Sequence, residues 1–261
     1  MYCLLIKKLK STINKLSSYT IIAAILIIWQ ILSATEVVPS YMLPSPVEVV
    51  KAFITDFPLL LEHAKITLIE AFLGLGIGVL LGFIVSVLMD RFKFLYKTIY
   101  PILVITQTVP AVAIAPLLVL WLGYGIAPKV TLIVIVTFFP ITIGLLDGFK
   151  SSDPDAIMLL ESMDASKGQI FKHIKLPSSL SHFFAGLRIS ASYSIVGAVI
   201  AEWLGGFSGL GVYMTRVKKS YAFDKMFAVI LFISIISLLL MQGVTLLEKV
   251  SMPWKRSQKN Q

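Results

Sequence analysis

The apolar positions of this chain fall into six long runs separated by short polar segments. The runs are Tyr19–Val38, Thr67–Met89, Thr98–Leu122, Pro128–Leu146, Phe183–Leu204 and Met226–Leu247. Each is close to the roughly 20 residues that cross a bilayer as a helix, the form in which one segment pairs its own backbone polar groups. The pattern predicts an all-α, polytopic membrane protein with six transmembrane helices. One polar island is longer and better patterned than the rest, "LLESMDASKGQIFKHIKLPSSL" from Leu159 to Leu180. Just before it, Asp153 can cap a helix, Pro154 suits its first position, and Asp155 favours its positive end. A helix is expected from Pro154 to about Ser166. Gly168 then permits a bend, and a second short helix from Gln169 to Lys175 carries Ile170, Phe171 and Ile174 on one side before Pro177 ends it. Two short helices meeting at a glycine make a compact knob. In the first outer segment, Ser45 and Pro46 predict the start of another short helix.

Composition agrees with the pattern. Of 261 residues, 57% are hydrophobic and 14% charged, where soluble domains carry about 25% charged. The net charge of +9 would suit nucleic acid, but the basic residues cluster at the ends of apolar runs and no nucleic-acid-binding motif accompanies them. Six crossings put both termini on one side, and the positive-inside rule makes that side cytoplasmic. The inner segments then hold most of the 23 Lys and Arg: Lys7, Lys8, Lys10 and Lys15; Arg91, Lys93 and Lys97; Lys150, Lys167, Lys172 and Lys175; Lys249, Lys255, Arg256 and Lys259. The segment 203–225 runs against this, with Arg216, Lys218, Lys219 and Lys225 outside. The expected organisation is a cytoplasmic N-tail (1–18), a six-span domain (19–247, with the polar loop at about 147–182) and a basic tail (248–261). The first apolar run is long for a signal peptide and lacks a small-residue cleavage pattern, so it reads as a retained anchor. A single cysteine, Cys3, excludes an internal disulfide.

Several features within the spans bear on function. Gly74, Gly78 and Gly82 recur every fourth residue, a stripe for close helix packing. The third run contains Pro101, Pro110 and Pro116, with Gln107 one turn before Pro110. It reads either as a kinked packing helix or as the lining of a translocation path, for which Gln107, Pro110 and Pro116 are candidates. Ionisable residues inside spans are default functional candidates. Glu202, before the glycine-rich "GGFSGLG", is the foremost: it either pairs structurally or meets the substrate. Glu70 could be interfacial, and Arg188 could snorkel. The chain has no G-x-x-x-x-G-K-[ST] and no H-E-x-x-H, and His63, His173 and His182 are scattered, so neither a P-loop, a metal site nor an intramembrane enzyme is expected.

Glu161, Ala165, Gly168, Ile174, Leu176 and Pro177 resemble the EAA signature of ATP-binding-cassette importer permeases. In its loosest form that pattern is E-A-A, three residues, G, nine residues, I-x-L-P. Here Ser162 and Met163 follow Glu161 in place of two alanines, and Asp164 stands where the family usually has glycine. "TQTVPAVAIAPLLVLWLGYG", "AGLRIS" and "AEWLGGFSGLG" are similar to the nitrate/sulfonate/taurine-type branch, which includes carriers of thiamine-precursor pyrimidines and riboflavin. The resemblance spans roughly Leu43 to Leu247. It implies a type I importer permease, multi-pass in a bacterial cell membrane, acting as a dimer with a second permease chain. It also implies an extracytoplasmic binding protein and an ATPase subunit that holds ATP and Mg, with no cofactor or catalytic residue on this chain. The ATPase-docking residues would be Asp155, Leu159, Glu161, Asp164, Ala165, Ser166, Gly168, Phe171, Leu176 and Pro177. The substrate reading inclines to a thiamine-precursor pyrimidine, with sulfonate, nitrate or taurine as alternatives. A secondary carrier or channel is the competing class; it should carry mid-membrane coupling acids and an internal repeat, and neither is evident.

Overall fold

A computed structural model describes residues 20–35, 38–39 and 42–253. The N-tail with Cys3, Lys7, Lys8, Lys10 and Lys15, and the end of the basic tail with Lys255, Arg256 and Lys259, lie outside the described residues. The described residues form helices and connecting turns, without a strand. The helices are α1 (Thr20–Ala34), α2 (Pro46–Thr55), α3 (Phe57–Arg91), α4 (Lys93–Thr106), α5 (Ala111–Leu122) and α6 (Ile126–Lys150). They continue with α7 (Pro154–Ser162), α8 (Lys167–Ile170), a π-helical turn (Phe171–Lys175), α9 (Leu176–Gly205), α10 (Leu210–Lys219) and α11 (Phe223–Ser251).

Among the described residues, four helices are long and apolar enough to cross a bilayer: α3, α6, the continuous Lys167–Gly205 and α11. The third apolar run is not one continuous helix. It is the pair α4 and α5, bent by 101°. The break lies at Gln107–Pro110, whereas Pro101 and Pro116 sit inside α4 and α5. Pro110 holds extended backbone as the N-cap of α5, and the residue before a proline is pushed out of the helical region, so the chain stops and restarts there. Helix α1 is apolar but shorter. Length and composition thus give four crossings, or five with the bent pair.

The chain makes two compact units. Of the described residues, one comprises those from 20 to 59 together with 214–231. In it Trp29 donates to the Pro44 carbonyl at 3.0 Å and stacks obliquely on Phe227, above Val49, Ala52 and Ala228. Ser45 and Glu48 form the capping box that starts α2, with Pro46 at its first position, as the sequence predicts. Lys225 and Asp56 form an ion pair at 2.9 Å.

The second unit comprises, of the described residues, 60–213 and 232–253. Here α3 lays its glycine stripe against α6: Gly74 faces Ile133, Gly78 faces Thr137, and a Cβ on Gly82 would come within 2.8 Å of Ile141 Cγ2. Helices α6 and α9 approach as closely through Gly144, Gly148 and Gly186, which lie against His182, Ser179 and Pro140. Without a hydrophobic force between helices in lipid, such close backbone approach is what dispersion and packing require. Arg188 does not snorkel; it makes an ion pair with Glu248 of α11.

Candidate functional site

Three features of the second unit depart from plain helix packing. The first is the break between α4 and α5. A cavity of about 260 Å³ opens there against α6 and α9, lined by Gln107, Pro110, Ile114, Val136, Tyr193 and Val196 among others. Of the path candidates, Gln107 and Pro110 line it, while Pro116 and Glu202 do not. Its surface is mostly apolar with Thr106, Gln107 and Tyr193 as polar points, the composition of pockets that hold small organic solutes.

The second feature surrounds Glu202, near the C-terminal end of α9, which is 1% exposed. Both of its oxygens are engaged: Thr67 Oγ1 donates to Oε1 at 2.7 Å and the Gly211 N–H donates to Oε2 at 2.6 Å. Thr67 Oγ1 in turn accepts from the Leu210 N–H, and His63 Nδ1 accepts from the Gly209 N–H at 3.0 Å. These amides belong to the start of α10, so residues of α3 and α9 together cap that helix. Gly209 has φ +122°, and a Cβ there would fall on the Glu202 carboxylate. Nearby, Glu70 (3% exposed) pairs with Lys129 of α6 at 2.6 Å; among the described residues its second oxygen accepts no hydrogen bond. Lys129, Thr67 and His63 escaped sequence reasoning. The available signal was the spacing His63, Thr67, Glu70, one polar stripe on an apolar helix, together with a lysine at the head of an apolar run that needs a counter-charge.

The third feature is the polar island. Asp153 caps α7 by accepting the Asp155 N–H, and Pro154 takes the first position. Helix α7 buries none of its residues, yet exposes Met158 (56%) and Leu159 (63%), with Met163 just beyond (69%). Two expectations need correction. The first helix ends at Ser162, and the bend falls at Asp164, which holds φ +60°. Gly168 lies inside α8 and supplies no hinge. The signature's own spacing agrees: nine residues before Ile174 is Asp164, so its glycine position is Asp164 and its triplet falls on Met158, Leu159 and Leu160. Glu161 stands outside that triplet. Ser166 and Gln169 then form a capping box that starts the next helix, with Ala165 donating back to Leu160.

Pro177 does not end a helix either. It sits in the first turn of α9, directly after the π turn, where the Leu176 N–H reaches back to the Phe171 carbonyl. That wider turn makes room for the proline ring within a continuous helix from Lys167 to Gly205. Phe171 packs edge-on against Phe149 of α6 at 5.3 Å, and Lys175 pairs with both oxygens of Asp90 at the end of α3 at 2.7 and 2.9 Å. Beside them lies a cavity of about 620 Å³ that includes Ile157, Glu161, Lys167 and Gly168 in its lining. The compact knob expected from the sequence is thus a short exposed helix braced at its base on α6 and α3. Among the described residues, no group of three or more His, Cys, Asp or Glu is placed to hold a metal.

Residues 74–250 match the family described as "binding-protein-dependent transport system inner membrane component". The formylaminopyrimidine transport permease protein ThiX of Halalkalibacterium halodurans is 37% identical over 235 residues, covering 90% of this chain and 94% of that protein. The taurine transport system permease protein TauC of Escherichia coli is 29% identical over 240 residues, covering 89% and 87%. Among solved structures, an inward-facing form of the MetNI methionine ABC transporter superposes with a TM-score of 0.66 at 18% identity, covering 74% of this chain and 96% of that one. That likeness is one of fold.

Proposed function

This chain belongs to the binding-protein-dependent importer permeases, in their nitrate/sulfonate/taurine-type branch, and on that premise we propose that a separate ATPase drives it through α7 and the turn at Asp164. One observation carries the docking assignment: α7 leaves Met158, Leu159 and Met163 in solvent while burying nothing. A nine-residue helix with that exposure is marginal alone and gains stability from a partner surface. The ATPase, holding ATP and Mg, would move α7 as a rigid body. The bracing through Phe171–Phe149 and Lys175–Asp90 carries that motion to α6 and α3.

The chain is then a non-catalytic translocation subunit, working beside a second copy of itself and fed by an extracytoplasmic binding protein. In this reading α1 completes six crossings and both termini face the cytoplasm. The substrate is a thiamine-precursor pyrimidine. Two facts support that choice: the relative named for formylaminopyrimidine transport, and a largely apolar cavity with Gln107, Thr106 and Tyr193 in its lining, which suits a flat heterocycle with a hydrogen-bonding edge.

The test is uptake into proteoliposomes containing the chain with the ATPase and binding protein that co-purify with it in mild detergent. ATP-dependent accumulation of labelled formylaminopyrimidine is expected. Uptake of taurine or a sulfonate in its place would keep the importer and overturn the substrate. Uptake without ATP would point to a carrier or channel.

A further inference from the structure

A third cavity, of about 250 Å³, lies where α3 passes into α4 beside the end of α6. We infer that it binds the phosphate of one anionic phospholipid, through Lys93, Lys97 and Lys150 around Tyr96. All four residues line the cavity, over a floor that includes Met89 and Leu146. Lys150 is held in place: its Nζ donates to the Tyr96 hydroxyl at 2.6 Å and lies 4.5 Å from the centre of that ring. The acid in the lining, Asp90, is taken, because both of its oxygens face Lys175. Asp147, one turn before Lys150, is the other acid close to that lysine. The lining therefore keeps an excess of positive charge.

Three further observations favour a lipid phosphate. The turn follows α3 and flanks the end of α6, two helices long and apolar enough to cross a bilayer, and basic pockets at the ends of such helices hold anionic headgroups. Phe92 and Phe94, on either side of Lys93, are 52% and 76% exposed, and Leu88 is 41% exposed; acyl chains would cover them. Finally, among the described residues no side chain caps α4, and its first turn holds no acid. A helix start with lysines and no cap is electrostatically unfavourable by itself and is relieved by an external anion.

The test titrates the full-length chain in nonionic detergent with phosphatidylglycerol, cardiolipin or phosphatidylcholine, read by native mass spectrometry. A saturable adduct with the anionic lipids is expected at concentrations where phosphatidylcholine gives none. Each lysine removed should weaken it about fivefold, so Lys93→Gln with Lys97→Gln and Lys150→Gln should lose roughly 100-fold. The exposed single variant Lys97→Gln serves if the triple does not fold. Lys218→Gln with Lys219→Gln should leave the adduct unchanged. Equal binding of phosphatidylcholine, an unaffected Lys97→Gln, or equal loss in the Lys218/Lys219 variant would overturn the site. Displacement of the adduct by millimolar inorganic phosphate would assign the pocket to a free phosphate and overturn the lipid.

Discussion

The polar residues at the Glu202 end of α9 and those of α7, before its other end, meet opposite fates. Around Glu202 the polar groups find partners within the chain. Thr67, His63 and three backbone amides enclose one carboxylate and one helix start, and Lys129 answers Glu70. Around α7 the caps are internal but the apolar side chains of Met158, Leu159 and Met163 have no cover. A polar interruption in a membrane protein can thus complete the fold or present a surface. What separates the two is whether the chain itself supplies the complement.

The largest effect should come from removing a complement. Lys129→Met leaves the Glu70 carboxylate buried without its cation, and uncoupling a buried pair costs about 3–5 kcal/mol. Thermal unfolding in detergent should show the loss, and Glu70→Leu added to Lys129→Met should recover most of it. If the single variant unfolds like the parent, the Glu202–Glu70 cluster contributes little to the fold, and Glu70 and Lys129 return as candidates for solute contact.

How legible this contrast was in the sequence depended on distance along the chain. The α2 cap, the α7 start and the glycine stripe are local patterns, so Ser45, Pro46, Asp153, Pro154 and Gly74 with its repeats could be read directly. The partners of Glu202 and Arg188 could not, because Thr67 and Glu248 are remote in sequence and the apolar pattern carries no pairing information. The bend at Asp164 was missed for another reason. Glycine is the usual residue for φ > 0, so the pattern points to Gly168, while aspartate tolerates that region through its short polar side chain. The π turn before Pro177 was hidden likewise, since proline is read as a helix end unless the turn before it widens.

On the open side of the comparison, Met158→Glu with Leu159→Glu should change unfolding by no more than about 0.5 kcal/mol, because both side chains already face solvent. ATP-dependent transport, and recovery of the ATPase with the tagged chain, should fall at least tenfold, which corresponds to about 1.4 kcal/mol of docking energy. Equal losses of stability and transport would mean that α7 is held by its own chain and is not a docking surface.

The smallest effect tests where the knob bends. Asp164 sits at φ +60°, a conformation that costs an L-residue up to about 1–2 kcal/mol and an aspartate less. Asp164→Gly relieves that strain and also loosens the unfolded chain, so the net gain should be a few tenths of a kcal/mol, about 1 at most. Asp164→Val, β-branched and without a polar side chain, should lose stability. At Gly168 an added Cβ would meet nothing nearer than Ser166 Oγ at 3.9 Å, so Gly168→Ala should be neutral or slightly stabilising within its helix. Denaturant or thermal midpoints of the three variants in detergent decide the matter. If Gly168→Ala is the more damaging and Asp164→Val is silent, the bend belongs to Gly168 after all, and the surface offered by α7 must be redrawn from that hinge.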